Sequence, residues 1–599
     1  MKRLLVMALL TSKFVMAQEE VNIVSSYGTG SSLTQTTSPV NIITQEELQE
    51  IKPKTLTEVI TKISDISFVS NGGYGQTTSL YLRGFGPIRT LILLDGIRLN
   101  DITGLNGAMI EHILATDIQQ IEIIKGTQSG VWGADATAGV INIITKKPKK
   151  GFSSNAYFEY GSYITRRYGT TFSFANDKIY LLFGLHRLDS QSISAVEPYG
   201  KKWKDLKMEP DPYKNDTVNL KIGLNITEND NVESTMRFID AIVNYDGFDS
   251  ITFKPADAEN KAHINEKFYT FKYTKTIKNY QAQIYYNQSD FYRQYNEPKG
   301  WIKSYGYEGR VKELGFKYRL DYVKNSFLNL GFVRQDFVEN DSNLNNRYHN
   351  TGYFITNILM IKDLVLSQSV RSDNYSKFSD KITYKFGGKY IFNKDFYILA
   401  NYGTAYNVPT LYQLFSRDGN PNLKPENTKS YDLGFSYKGF SFDYFHYKIT
   451  DMIDFNLNTF KYANISGDSK IKGYEMSYRY IFKNFNIDVY IGYTNLSAKD
   501  KNDKDLPRRP KEKIDFNITT FPVDSISINF NGQYIGKRKD TNNVQTGYYT
   551  ILNTTLNIKL NKYLSAYLKI DNITNKYYQT VYGYASFGRS IYAGLNGSF

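Results

Sequence analysis

The chain has no cysteine in 599 residues, which excludes a disulfide framework and any thiolate metal site. Histidine is scarce, at five, and tryptophan scarcer, at three. Beyond the first 17 residues there is no apolar run near the roughly 18–20 residues that a spanning helix needs. A chain with this pattern crosses a membrane only as a closed β-barrel, the other fold that satisfies every backbone polar group in lipid. Two enzyme signatures are also missing. No nucleophile stands beside a base in a Gly-x-Ser-x-Gly elbow, and Gly126–Gly130 has no Lys-Ser/Thr pair after it to make a phosphate loop. Lysine and arginine are spread among loops rather than gathered on a nucleic-acid module, so nucleic acid is not expected as a partner.

What the chain does have is tyrosine (51), phenylalanine (37) and a net charge of +14, with a mean hydropathy of −0.45. Its N-terminus reads as an export signal over 1–17: Lys2 and Arg3, an apolar stretch Leu4–Leu10, and Val15-Met16-Ala17 as a cleavage site. Residues 18–40 are polar and read as a flexible arm. From Val40 to Thr145 the pattern is mixed α/β. Thr44 and Glu47 form a capping box, Leu56–Ile63 a second short helix, and Ile121–Ile124 and Val140–Ile144 strands. Between them, Leu91–Leu94 meets Asp95-Gly96 and resumes at Ile97, a strong signal for a type I′ hairpin.

After Phe152, alternation with period two dominates. Val218–Ile226, Phe485–Tyr493 and Ile526–Tyr534 each alternate apolar with polar or small residues. Such segments of about 9–10 residues suit strands with one face in lipid and one in water. A soluble β-sandwich alternates too. The number of segments over nearly 450 residues and the aromatic enrichment favour the membrane barrel. The last strand ends Ile591, Ala593, Leu595, Gly597, Phe599. A barrel of this length encloses a lumen too wide for side chains to fill, and sequence order suggests that residues 41–148 plug it.

Several motifs resemble those of TonB-dependent outer-membrane receptors. Glu20-Val21-Asn22-Ile23-Val24-Ser25-Ser26 is similar to the family's energy-coupling box, an extended segment able to add a strand to another sheet edge. Arg83-Gly84 followed by Leu91–Gly96 and Arg98 resembles the plug core. Ile121–Gly126, Trp132-Gly133 and Ala138–Thr145 resemble the second plug signature. Asn420–Glu426 and Asn572–Tyr577 with Gly588-Arg589 resemble barrel hallmarks. The resemblance implies a barrel of 22 antiparallel strands over 151–599 with an α/β plug in its lumen. It implies location in the outer membrane of a Gram-negative cell among lipopolysaccharide, and coupling to the TonB protein of the inner-membrane complex. It also implies delivery to a periplasmic binding protein, and no catalysis.

Within the family, Asn71–Ser79, Leu506–Arg509 and Thr580–Tyr584 look like the cobalamin-receptor branch. That likeness implies ligand contacts at Thr77, Ser79, Gly86, Gly104, Leu105 and Arg508. It implies structural calcium at Glu209, Asp211, Tyr245, Asp246 and Asp257; an earlier acidic ligand of the branch aligns near Ser194. Hard cations want such clusters of carboxylate and carbonyl oxygens. Siderophore, haem or other metal-chelate uptake are the alternatives inside the family, though Thr410–Asn420 lacks the histidine that similar haem receptors carry. A passive porin or a barrel hydrolase are the alternatives outside it.

Overall fold

The computed structural model describes residues 23–599 apart from 25, 62–65, 199–202, 249–254, 342–343 and 542. The export signal and the first three residues of the coupling box lie outside the described residues, as does Ser25. No helix among the described residues is long and apolar enough to cross a membrane.

Residues 151–598 form a closed antiparallel barrel of 22 strands, from Gly151–Gly161 to Ser590–Ser598, with the last strand paired to the first. Strand Tyr213–Asn225 shows why the wall faces lipid. Its lumenal residues Asn215, Thr217, Asn219 and Lys221 are buried, while Ile222 and Leu224 point outward and are exposed. A soluble sandwich would bury the second set and expose the first. The inverted pattern is that of a membrane barrel with a polar interior. One alternating run is shorter than its sequence suggests. Phe485 lies in a turn and the strand is Ile487–Lys499, because Asn486 takes a left-handed conformation, φ 52°. At one rim the strands join by short turns, and at the other by long loops; the short-turn rim is the periplasmic one.

The plug fills the lumen. Its five-stranded sheet runs in the order Val40–Thr44, Ile118–Lys125, Gly139–Thr145, Thr90–Leu94, Ile97–Arg98. The Asp95-Gly96 turn has φ of 49° and 89°, as a type I′ turn requires. Its first strand does more than form a hairpin: Thr90–Leu94 also pairs in parallel with Gly139–Thr145, and all five of its residues are buried. Thr44 caps helix Gln45–Ile51 with Glu47 in a reciprocal capping box. The second helix is shorter than expected, Leu56–Ile60, and Gly126–Gly130 leads into a short helix, Ser129–Trp132.

Buried ion pairs tie plug to wall. Arg83 donates to both carboxylate oxygens of Glu475 at 2.9 and 3.0 Å and to Asp432 at 2.6 Å, and Lys125 reaches Glu475 at 3.2 Å. Arg89 grips Glu426 with two nitrogens; Glu426 closes the Asn420–Glu426 motif. Lys569 pairs with Glu58 at 2.7 Å.

The arm is packed where its composition predicts flexibility. Ile23 bridges Ser31, Val24 N–H donates to the Glu122 carboxylate at 3.1 Å, and Tyr27 is buried against Phe327. The barrel supplies the hold: Lys317 donates to the carbonyl of Gly28, Lys389 to that of Leu33, and Asn329 to Thr29 Oγ1. Below the plug, a cavity of about 2050 Å³ opens on the short-turn rim, lined by arm, plug and wall.

Glu111 of the plug is buried, and burial pushes its carboxyl up to about 8. One oxygen, Oε2, has no donor among the described residues. The neutral form suits this site. Stability from it is complete below the unfolded value near 4.5 and is lost as pH rises towards 8. Glu111→Gln therefore nearly matches the parent at pH 5 and is more stable at pH 9, by about 4 kcal/mol. Denaturant unfolding of the plug at both pH values measures this; an equal difference at the two would refute it.

Candidate functional site

Three plug loops meet at the long-loop rim. Strands Ile66–Ser70 and Thr78–Leu82 carry loop 71–77 between them, closed by Asn71 N–H to Thr77 O at 3.1 Å. Gly75 lies so close to Tyr213 that a Cβ there would meet the ring at 2.2 Å, and its φ is +73°. Only glycine fits such a site. Ser79 Oγ donates to Asn106 at 2.9 Å, joining this hairpin to the loop of Gly104 and Leu105. Gly107 in turn packs on the carbonyl of Pro87, which follows Gly86. Thr77, Ser79, Gly86, Gly104 and Leu105 are thus on one contiguous surface. Thr77 is exposed, Ser79, Gly104 and Leu105 are half-buried, and Gly86 is buried.

Barrel loops close around it. Arg508 pairs with Asp540 at 2.7 Å, and Asp540 also accepts the Tyr582 N–H at 2.8 Å. Its neighbour Arg509 reaches the plug: it donates to Gly84 O at 3.0 Å and stacks on Tyr81. Arg508 also interacts with the Tyr81 hydroxyl, so both arginines reach the plug, Arg508 while paired with Asp540 and Arg509 through Gly84. Thr580 Oγ1 donates to Ser70 O at 2.8 Å and Glu197 N–H to Gly583 O at 2.8 Å, so the Thr580–Tyr584 stretch clamps plug hairpin and loop 191–198 together.

Carboxylates gather beside this clamp. Glu209, Asp246 and Asp257 offer oxygens all within 4.8 Å of one another. Asp211 joins them: it accepts from Ala195 N–H at 2.6 Å, and burial together with the Asp246 charge pushes it up to about 9. Asp246 accepts from Val196 N–H at 2.7 Å, Ala258 N–H at 2.8 Å and Ser194 Oγ at 3.2 Å. The acidic position missing at Ser194 is therefore filled by a hydroxyl bonded to the cluster. Tyr245 turns its side chain away from this cluster. Its hydroxyl donates to Glu297 at 2.8 Å and its ring packs on Tyr295, so its side chain is not among the carboxylates. The strand pairing slips between Tyr245 and Gly247, which leaves Asp246 unpaired at the irregularity. Four crowded carboxylates with carbonyls nearby are a donor set suited to a hard divalent cation.

Tyr245 instead begins a wall the sequence did not disclose. Tyr245, Tyr295, Tyr305, Tyr307, Tyr412 and Tyr462 run ring to ring, centroids 5.0–6.2 Å apart. All six are half-buried. Arg293 lies 5.0 Å from the Tyr307 ring, donates to Thr103 O at 2.8 Å and pairs with Asp101 at 3.1 Å. The arc therefore rises directly beside Gly104. Alternation could have found it, since Arg293 and Tyr295, like Tyr305 and Tyr307, share one face; the tyrosines pass instead for membrane-girdle residues.

The fold has parallels in known proteins. A profile described as TonB dependent receptor-like, beta-barrel matches residues 150–573, and the TonB-dependent receptor plug domain matches 32–140. The chain is 25% identical over 600 aligned positions to the vitamin B12 transporter BtuB of Vibrio cholerae serotype O1, covering 94% of this chain and 93% of that one. Among solved structures it superposes on a mutant of the ferric enterobactin receptor PfeA of Pseudomonas aeruginosa with a TM-score of 0.79 at 16% identity, covering 94% of this chain and 100% of that one. The siderophore receptor PirA of Acinetobacter baumannii gives 0.80 at 17%, with 94% and 98% covered. Two matched profiles, a closed 22-strand wall and a lumenal plug establish the chain as a member of the TonB-dependent receptor family, an outer-membrane receptor.

Proposed function

We propose that this receptor imports cobalamin or a related corrinoid. The observation that carries the reading is the full-length likeness to vitamin B12 transporters. The gathered plug surface at Thr77, Ser79, Gly86 and Gly104-Leu105 and the carboxylate cluster support it. Ligand enters from the long-loop side and rests on the plug apices, with Arg508 and the tyrosine arc as walls. Calcium held by Glu209, Asp211, Asp246 and Asp257 offsets their mutual repulsion and fixes loop 191–198 against the plug. Ligand binding reshapes the plug, frees the arm to pair with TonB, and energy from the inner membrane opens the path. The barrel has no energy source of its own, so uphill accumulation needs this link.

Titrating purified receptor with cyanocobalamin tests the reading. Binding is expected in millimolar calcium and weaker by at least about tenfold after chelation, since unordered loops add their ordering entropy to the binding step. Asp246→Asn reproduces the chelated value. The competing reading is an anionic aromatic chelate such as a ferric catecholate, which the tyrosine arc and the Arg293, Arg508 and Arg509 guanidiniums would suit. Tight binding of that chelate with none of cyanocobalamin would replace the corrinoid assignment.

A further inference from the structure

The short-turn rim carries an unexpected charge pattern. Six consecutive turns, from 278 to 483, each present one lysine: Lys278, Lys324, Lys362, Lys394, Lys438 and Lys483. All six are exposed. The only acids in these turns are Asp363 and Asp395. None of the six lysines is in an ion pair among the described residues. At the opposite rim several basic side chains are paired, as in Arg508 with Asp540, Lys511 with Asp505 and Lys448 with Asp468.

Turn chemistry does not account for these lysines. Lys278, Lys362 and Lys438 occupy left-handed positions, φ 45°, 52° and 46°. Glycine or asparagine suits that conformation better, and the chain uses Asn325 and Asn486 in this way at neighbouring turns. Lysine is thus retained at three sites against local preference, which points to its charge. The lysines also sit at the edge of the membrane-facing aromatic belt. Lys438 lies over the Tyr437 ring at 5.3 Å, and Phe392, Phe482 and Phe485 project outward beside other turns. An amphipathic stem over an interfacial ring with its ammonium beyond is how lysine meets a headgroup layer.

We infer that this arc of lysines binds anionic phospholipid headgroups of the periplasmic leaflet. Successive turns are two strands apart, roughly 12 Å along a tilted rim, so each ammonium addresses its own headgroup rather than sharing one. The bound annulus would sit beside the mouth of the cavity beneath the plug, where Lys394, Lys438 and Lys483 also line the wall.

Native mass spectrometry of the full-length receptor, offered equal phosphatidylglycerol and phosphatidylcholine of matched chains, tests the inference. The parent is expected to retain phosphatidylglycerol over phosphatidylcholine by roughly tenfold at low salt. Replacing all six lysines with glutamine brings the ratio near one, and replacing them with arginine preserves it. Should the glutamine variant fail to fold, Lys278→Asn, Lys362→Asn and Lys438→Asn together improve turn propensity and must still lower the ratio. Parity in the parent overturns the inference, as does a ratio unmoved by neutral substitutions. So does displacement of the lipid by millimolar inorganic phosphate, which would make the rim a site for free anions. An unmoved ratio together with lost capture of an acidic periplasmic protein would assign the rim to that protein instead.

Discussion

Deletion of residues 20–26 abolishes accumulation of ligand while leaving its binding at the outer face unchanged. The arm and the plug apices lie at opposite ends of the lumen. Leu33 and Gln35 contact Lys389 and the Asn325 turn at the periplasmic rim, whereas Thr77 and Leu105 face the long loops. Strand addition to another sheet edge needs free backbone groups, and those of Ile23 and Val24 are engaged with Ser31 and Glu122. On the proposed mechanism, release of that latch precedes any pull. Radiolabelled uptake and equilibrium binding on the same cells separate the two steps. Uptake persisting after the deletion would refute the mechanism; loss of binding would mean that the arm holds the apices together.

Arg83→Met destabilises the seated plug by about 3–5 kcal/mol, the usual consequence of removing one member of a buried ionic cluster. Arg83 is fully buried at φ 48° between Glu475 and Asp432, with Phe445 against its guanidinium. Its loss leaves two carboxylates inside the lumen with Lys125 alone near Glu475. Adding Glu475→Gln and Asp432→Asn to the same chain recovers most of the loss, because the exposed penalty is that of unpaired charge rather than of missing volume. Denaturant unfolding of the plug gives the numbers. A change under 1 kcal/mol in the single variant would show that the cluster is hydrated and mutually screened.

The sequence discloses elements whose identity depends on local period and turn chemistry. The capping box at Thr44, the Asp95-Gly96 turn and the alternation of Val218 through Leu224 all stand as read. Contacts between segments hundreds of residues apart are less legible. Residues 23–38 look like a linker because their side chains are small and polar, yet the barrel holds them by their carbonyls, which composition does not reveal. Tyr245 reads as a neighbour of Asp246 in one dimension and turns away from it in three. The tyrosine arc joins residues from 245 to 462, and only the curvature of a closed wall brings them into line. Arg508 and Arg509 both meet Tyr81 of the plug, but Arg508 is also paired with Asp540 while Arg509 reaches Gly84 O, a division set by the elements the loop crosses.

The pairing of Ser590–Ser598 with Gly151–Gly161 carries a consequence for how the molecule comes to exist. Phe599 exchanges both of its backbone hydrogen bonds with Ser154, so the seam joins residues more than 400 positions apart. Until the last strand arrives, an unclosed sheet would leave edge groups unsatisfied in lipid. The plug is synthesised well before then, with Arg83, Arg89 and Lys125 lacking the carboxylates of strands made more than 300 residues later. Its sheet can fold alone, but its ionic contacts cannot form first. Seating of the plug and closure of the wall are therefore coupled. A wall that lacks its last strand would leave strand edges unpaired and the plug without part of its ionic hold.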